Sequence, residues 1–179
     1  MLVGSDVAQS GVHTRDTGGQ MRIDQQIDPV WRQQLFLLHT GGDLQLNDFG
    51  FLDRNNFNYA RYELSRRITD LPETSPYAAH LWRYAVSRRQ NDDGVKIANA
   101  FAFNRQSERR DGGSEFFEIA GWSAGHDDLI TRGHGIVDMP ARLYAFAERS
   151  FPKKRHWAFY GNVNFDAQGL DGVRGGGWS

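Results

Sequence analysis

The stretch Arg155-His-Trp-Ala-Phe-Tyr-Gly-Asn-Val-Asn-Phe165 sets Trp157, Phe159, Val163 and Phe165 on one parity and His156, Ala158, Asn162 and Asn164 on the other, with Tyr160 and Gly161 as an imperfect pair. Side chains of an extended chain alternate between faces, so the stretch reads as a strand with one greasy side and one wet side. The same texture recurs along most of the chain, without sustained helical periodicity. The pattern predicts an all-β fold, an antiparallel β-meander of about nine strands forming an outer-membrane-type β-barrel or part of one.

Working outward, turn chemistry separates the strands. The first runs from Leu2 to Arg15 and stops at Asp16-Thr-Gly-Gly19; the second, Gln20 to Asp28, sets Met21, Ile23 and Ile27 against Gln20, Arg22, Asp24, Gln26 and Asp28. Pro29 then ends it, because proline cannot donate to a ladder. The third and fourth span about Trp31 to His39 and Phe57 to Ile68; the fifth, Tyr77 to Arg89, aligns Ala78, His80, Trp82, Tyr84 and Val86. Asn91-Asp-Asp-Gly94 reads as a hairpin turn. The sixth, Val95 to Arg105, opposes Val95, Ile97, Phe101 and Phe103 to Lys96, Ala98, Ala100, Ala102 and Asn104, and Arg110-Asp-Gly-Gly113 turns it into a seventh, Ser114 to Ala124. An eighth covers Ala141 to Ser150, and the ninth is the stretch quoted above. The chain reads as a single domain, residues 1–179, with the glycine-rich tail 169–179 unpaired.

Composition narrows the function classes. A net charge of -1 among 179 residues sets nucleic acid aside, since such partners select a basic patch or stripe. Aromatic residues at 13% beside a mean hydropathy of -0.62 suit a sheet in which only alternate residues face lipid. With no cysteine there is no disulfide scaffold, thiolate metal site or cysteine nucleophile. No segment reaches the ~18 consecutive apolar residues of a spanning helix, so a membrane would be crossed by strands. Met1 to Ser10 lacks the charged and apolar regions of a signal peptide, which implies either processing or a longer parent chain for an exported barrel.

If successive strands alternate direction, the two long connections, Gly41 to Asn55 and Gly125 to Pro140, emerge at one end and shorter turns at the other. Membrane barrels share that asymmetry. A soluble sandwich or ligand-binding barrel would alternate too, with its apolar face as a core. The rings of Trp82 with Tyr84, Trp157 with Phe159, and Tyr144 with Phe146 favour the membrane, where amphipathic rings sit at headgroup depth.

Three ordered motifs carry a resemblance. Asp43-Leu-Gln-Leu-Asn-Asp-Phe-Gly-Phe-Leu-Asp-Arg-Asn-Asn56, Gly125-His-Asp-Asp-Leu-Ile-Thr-Arg-Gly-His-Gly135 and Met139-Pro-Ala-Arg142 resemble the C-terminal half of the bacterial family catalogued as domain of unknown function 5916. The resemblance spans about Val12 to Gly172 and implies an outer-membrane barrel of Gram-negative bacteria, preceded in the family by a carbohydrate-binding sandwich that this chain lacks. It implies as partners the lipid bilayer and lipopolysaccharide, a surface glycan to be bound or taken up, and the missing N-terminal part of a longer protein.

Two loop clusters are candidate sites. Asp43, Asn47, Asp48 and Asp53 gather oxygen ligands of the kind hard cations prefer, without EF-hand spacing, and Asx side chains also serve turns. His126, Asp127 and Asp128, with His134 beyond, offer imidazole and carboxylate to a metal or an acid–base pair, without zinc-site spacing. Neither cluster specifies a catalytic residue, metal or cofactor. The leading expectation is a barrel scaffold rather than an enzyme; the alternatives are a secreted polysaccharide hydrolase centred on 126–128 and a soluble ligand-binding barrel.

Overall fold

The computed structural model of the chain describes residues 1–9, 12–44, 54–127, 129–130, 135–152, 157–169 and 175–178. Among the described residues there are twelve strands: β1 (Leu2–Gln9), β2 (Val12–Gln26), β3 (Trp31–Thr40), β4 (Phe57–Ile68), β5 (Tyr77–Gln90), β6 (Lys96–Arg109), β7 (Ser114–Trp122), β8 (Gly125–Asp127), β9 (Val137–Met139), β10 (Arg142–Ser150), β11 (Tyr160–Gln168) and β12 (Gly175–Trp178). Ten form one antiparallel meander in the order β1-β2-β3-β4-β5-β6-β7-β10-β11-β12, and β8 pairs with β9 as a separate hairpin. The fold is all-β. Among the described residues β1 and β12 each have one partner strand, so the sheet is open at both edges.

The turns follow their local chemistry. The Asp28 carboxylate accepts from the backbone N–H groups of Val30 and Trp31, 2.7 Å each, and reverses the chain at Pro29. Gly94 (φ 80°) and Gly112 (φ 87°) occupy left-handed backbone in the two hairpin turns expected of them. Arg110 reaches from its turn to the carbonyls of Leu71, Pro72 and Ser75, tying two neighbouring short connections together.

Several expectations need correction. Asp16 to Gly19 is no turn but the interior of β2, paired to β1 from Leu2↔Gly19 to Gln9↔Val12. Its glycines serve close approach instead: a Cβ on Gly18 would land on Leu44, and one on Gly19 on Leu2. The tail is not wholly unpaired, because Gly175–Trp178 forms β12 against β11, a tenth strand of the sheet. Of the stretch Arg155 to Phe165, only Tyr160 onward is strand; Trp157 and Phe159 precede it, and Arg155 and His156 lie outside the described residues. A bulge between Tyr77 and Ala79 takes Ala78 out of the row of His80 and Trp82.

The cross-strand register sorts the sheet into two faces. One row runs Ile23, Leu35, Tyr62, Val86, Phe101, Gly121, Leu143, Ala167; the next runs Leu64, Tyr84, Phe103, Ile119, Ala145, Phe165. The opposite face carries Asp24, Gln34, Glu63, Ala85, Ala102, Ala120, Tyr144, Asp166 and, one row on, Ser65, Arg83, Asn104, Glu118, Phe146, Asn164. Tyr144 and Phe146 therefore belong to the polar face, and β10 offers Leu143, Ala145 and Ala147 to the apolar one.

Nothing in the described chain covers the apolar face. Met21, Ile23, Tyr62, Tyr84, Val86, Phe101, Phe117, Val163 and Phe165 all stand exposed on it, Val86 and Val163 at 57%. Among the described residues only Leu44, Ala79 and Ala120 are buried apolar side chains. The accessible surface, 12537 Å², compares with about 8,800 Å² for a compact monomer of this mass. The excess is that of a single-layer sheet without a second layer to pack on.

Candidate functional site

Chemistry concentrates in three places: the apolar face with its borders, the polar face, and the end of the sheet bearing the long connections. On β5 the apolar face shows Trp82, Tyr84 and Val86 between His80 and Arg88; on β6 it shows Phe103 and Phe101 between Arg105 and Asn99. The seven residues between those borders on β5 and the five on β6, at ~3.3 Å each, give a belt of roughly 16 to 23 Å, about 20 Å on average, along the strand direction. Its centre is an aromatic cluster in which Phe103 lies 5.7 Å from Trp82, 5.1 Å from Tyr84 and 6.2 Å from Phe117, ring centre to ring centre. At the border nearest the short turns, guanidinium groups sit against rings: Arg66 on Trp31 (5.3 Å), Arg109 on Tyr77 (5.5 Å) and Arg149 on Phe151 (4.8 Å). Apolar stems with charged heads at the edge are what an interface between hydrocarbon and water selects.

The polar face is held by hydrogen-bonded charges. Asp24 accepts from Arg22 Nε (2.7 Å), Arg32 (3.2 Å) and Gln34 (2.7 Å), and Arg61 pairs with Glu63 at 2.6 Å. Arg142 grips Asp166 through Nε at 3.0 and 3.1 Å and also through a terminal nitrogen. Between these groups Ala85, Ala102 and Ala120 keep the middle of the face shallow. In the short turn 110–113, the Gly113 backbone N–H and then the Arg109 guanidinium hold the Asp111 carboxyl below its ordinary range. That support is present above the ordinary carboxyl pKa and is lost as pH falls through the lowered one.

At the long-connection end, residues 41–44 turn inward over the polar face. Thr40, on that face, donates to the Arg54 carbonyl (2.9 Å); Leu44, 1% exposed, fills the space left by Gly18; and Asn55 donates to the Leu44 carbonyl (2.8 Å). Asp16 receives the backbone N–H groups of Thr17 (2.6 Å) and Asp43 (2.8 Å). Asn56, at positive φ (51°), accepts from the Asp92 N–H (2.6 Å), and Asn58 donates to the Asp92 carboxylate (2.6 Å), which joins this loop to the β5–β6 turn. Sequence reading missed Asp16, Leu44, Asn56 and Asp92; Leu44 is one of several apolar residues in that connection, with Leu46, Phe49, Phe51 and Leu52, so nothing in the sequence singled it out.

Of the predicted site residues, Asp43 contributes its backbone N–H to Asp16 and leaves its side chain exposed. His126 Nδ1 meets Asp138 Oδ1 at 2.8 Å across the β8–β9 pair, not Asp127. Asp127 accepts from the N–H groups of Leu129 (2.8 Å) and Ile130 (3.0 Å), a turn-forming role. Asn47, Asp48, Asp53, Asp128 and His134 lie outside the described residues. Among the described residues no three of His, Asp or Glu come together as a metal-holding group. The hairpin that carries His126 docks tightly, since a Cβ on Gly125 would collide with the Ile97 backbone carbonyl. Gly125→Ala should therefore cost about 1–3 kcal/mol in urea unfolding and open residues 123–141 to limited proteolysis.

These features define a class: a single-layer antiparallel meander with one belted apolar face and one polar face. No protein-family model, curated protein or solved structure matches the chain.

Proposed function

We propose that the chain forms the wall of an outer-membrane-type β-barrel in a Gram-negative cell envelope, with the belted face toward lipid and the polar face around a water-filled interior. The observation that carries this reading is the uncovered apolar face. Exposed apolar side chains share a band of about 20 Å, and arginine–ring pairs border it on one side. Strands β3, β7, β10 and β11, at 10, 9, 9 and 9 residues, suit the ~9–11 residues a tilted strand needs to cross hydrocarbon, and β2, β4, β5 and β6, at 15, 12, 14 and 14, exceed that length.

In this reading the connections 41–56 and 123–141 stand together at one mouth, outside the belt. Recognition of an external partner belongs to them, and a surface glycan or lipopolysaccharide is the partner that the family resemblance points to. Leu44, turned inward over the polar face against Gly18, narrows that mouth. The polar face is a scaffold of paired charges, which favours passive support or passage over catalysis.

The test is reconstitution of the full chain into phosphatidylcholine vesicles. The expected result is heat-modifiable migration on a detergent gel, with the β-sheet resistant to external protease except at the connections. A monodisperse, protease-resistant protein in plain buffer without detergent would overturn the membrane reading.

A further inference from the structure

At the border near the short turns, β6, β7, β10 and β11 together form a shallow groove on the apolar face, widely open to its surroundings and lined by Arg105, Glu115, Phe117, Arg149, Gly161 and Val163. The cross-strand register explains its shape. One row, Arg105–Phe117–Ala147–Val163, gives an apolar floor with a guanidinium at one end; the next row toward the turns is Ser107–Glu115–Arg149–Gly161. Gly161 leaves the outer wall open, for a Cβ there would meet nothing within 4 Å.

The charges do not balance. Glu115 is engaged by Arg109 (3.4 Å), Arg149 (3.7 Å) and the Tyr77 hydroxyl (2.9 Å), and Asp111 is engaged by Arg109 (3.2 Å). The Arg105 guanidinium, unlike its ladder-paired backbone, has no hydrogen-bond or ion-pair partner among the described residues. Arg105 and Arg149 line the groove with Glu115 and Glu148; Glu148 stands in the opposite-face row of β10 and accepts from the Tyr160 hydroxyl (3.0 Å), Glu115 is shared by Arg109 and Arg149, and the Arg105 guanidinium is thereby left without a carboxylate beside the apolar floor.

We propose that this groove binds one phospholipid, its phosphodiester held between Arg105 and Arg149 and an acyl chain laid over Phe117, Ala147 and Val163. A phosphodiester carries the single negative charge the site lacks, and guanidinium is the side chain best shaped for its oxygens. The apolar floor is continuous with the belt, so the ligand is a lipid rather than free phosphate. The inference rests on the membrane orientation proposed above.

The experiment is native mass spectrometry of the full chain released from detergent micelles containing dioleoyl phosphatidylglycerol. Retained lipid should fall about tenfold in Arg105→Gln/Arg149→Gln, and much less in the Arg105→Lys/Arg149→Lys pair. Gly161→Leu, which fills the groove without changing charge, should lose the lipid as well, while Arg83→Gln on the opposite face should keep it. Inorganic phosphate should not displace the lipid. Equal retention by the glutamine pair and the unaltered chain, each verified by heat-modifiable migration, overturns the groove alone; displacement by inorganic phosphate overturns the lipid as its ligand. A chain that never enters vesicles overturns the membrane reading and the groove with it.

Discussion

Placing one arginine at Ala145 should weaken insertion by about 2–4 kcal/mol, whereas the same change at Ala102 should leave it within about 1 kcal/mol. Both positions are half-buried alanines in mid-strand, so the substitution adds the same side chain to the same backbone type. They differ in face. Ala145 lies in the row of Phe103, Ile119 and Phe165, at the centre of the belt; Ala102 lies between Ala85 and Ala120, in the row that also holds Glu63 and Asp166. Hydrocarbon at mid-depth penalises a guanidinium that cannot reach water, while a wet interior with acidic neighbours accommodates it. Every 1.4 kcal/mol is about a tenfold change in equilibrium, so a urea titration of folding into vesicles resolves the two variants readily. A protein whose apolar face met only water would show near-equal, small effects for both. That equality would sink the proposed orientation.

How far the sequence discloses this architecture depends on which physical signal each element leaves. Period-two alternation was legible in β6, where Phe101 and Phe103 oppose Ala100 and Ala102, and in β11, where Val163 and Phe165 oppose Asn162 and Asn164. The turns at Gly94 and Gly112 were legible because left-handed backbone selects glycine. Gly18 and Gly19 misled for the same reason in reverse. Glycine reports a missing side chain, and its purpose here is room for Leu44 and Leu2, which only tertiary packing reveals.

Parity has a similar limit. It states which residues share a side of a strand but not which side of the sheet that is. In β10 the aromatic parity, Tyr144 and Phe146, reads as the greasy one, yet pairing with Glu118 and Asp166 sets it on the polar face. The candidate site was least legible. His126 finds its carboxylate in Asp138, twelve residues away, rather than in the adjacent Asp127, since the partner is chosen by the β8–β9 register and not by spacing.

A cysteine in β12 should form a disulfide with one in β1 of the same chain once the protein is in a membrane. Both edge strands present unpaired backbone groups among the described residues, and hydrocarbon offers those groups nothing to bond. Ten strands is an even number, so β1 and β12 run in opposite directions and can meet as an ordinary antiparallel pair. The chain contains no cysteine, which makes the background clean. Gly176→Cys pairs with Leu2→Cys, Gly4→Cys or Asp6→Cys, all positions of the same parity by register, so the best-linked partner reads the offset between the edges. A disulfide needs Cα atoms about 4.4–6.8 Å apart, a distance that two unjoined edges of an open sheet would not hold. Oxidation in vesicles should give a monomer of altered mobility on a non-reducing gel for one pair and not for its neighbours. Cross-links solely between chains would mean that strands from outside this sheet complete the wall, and would overturn its closure on itself.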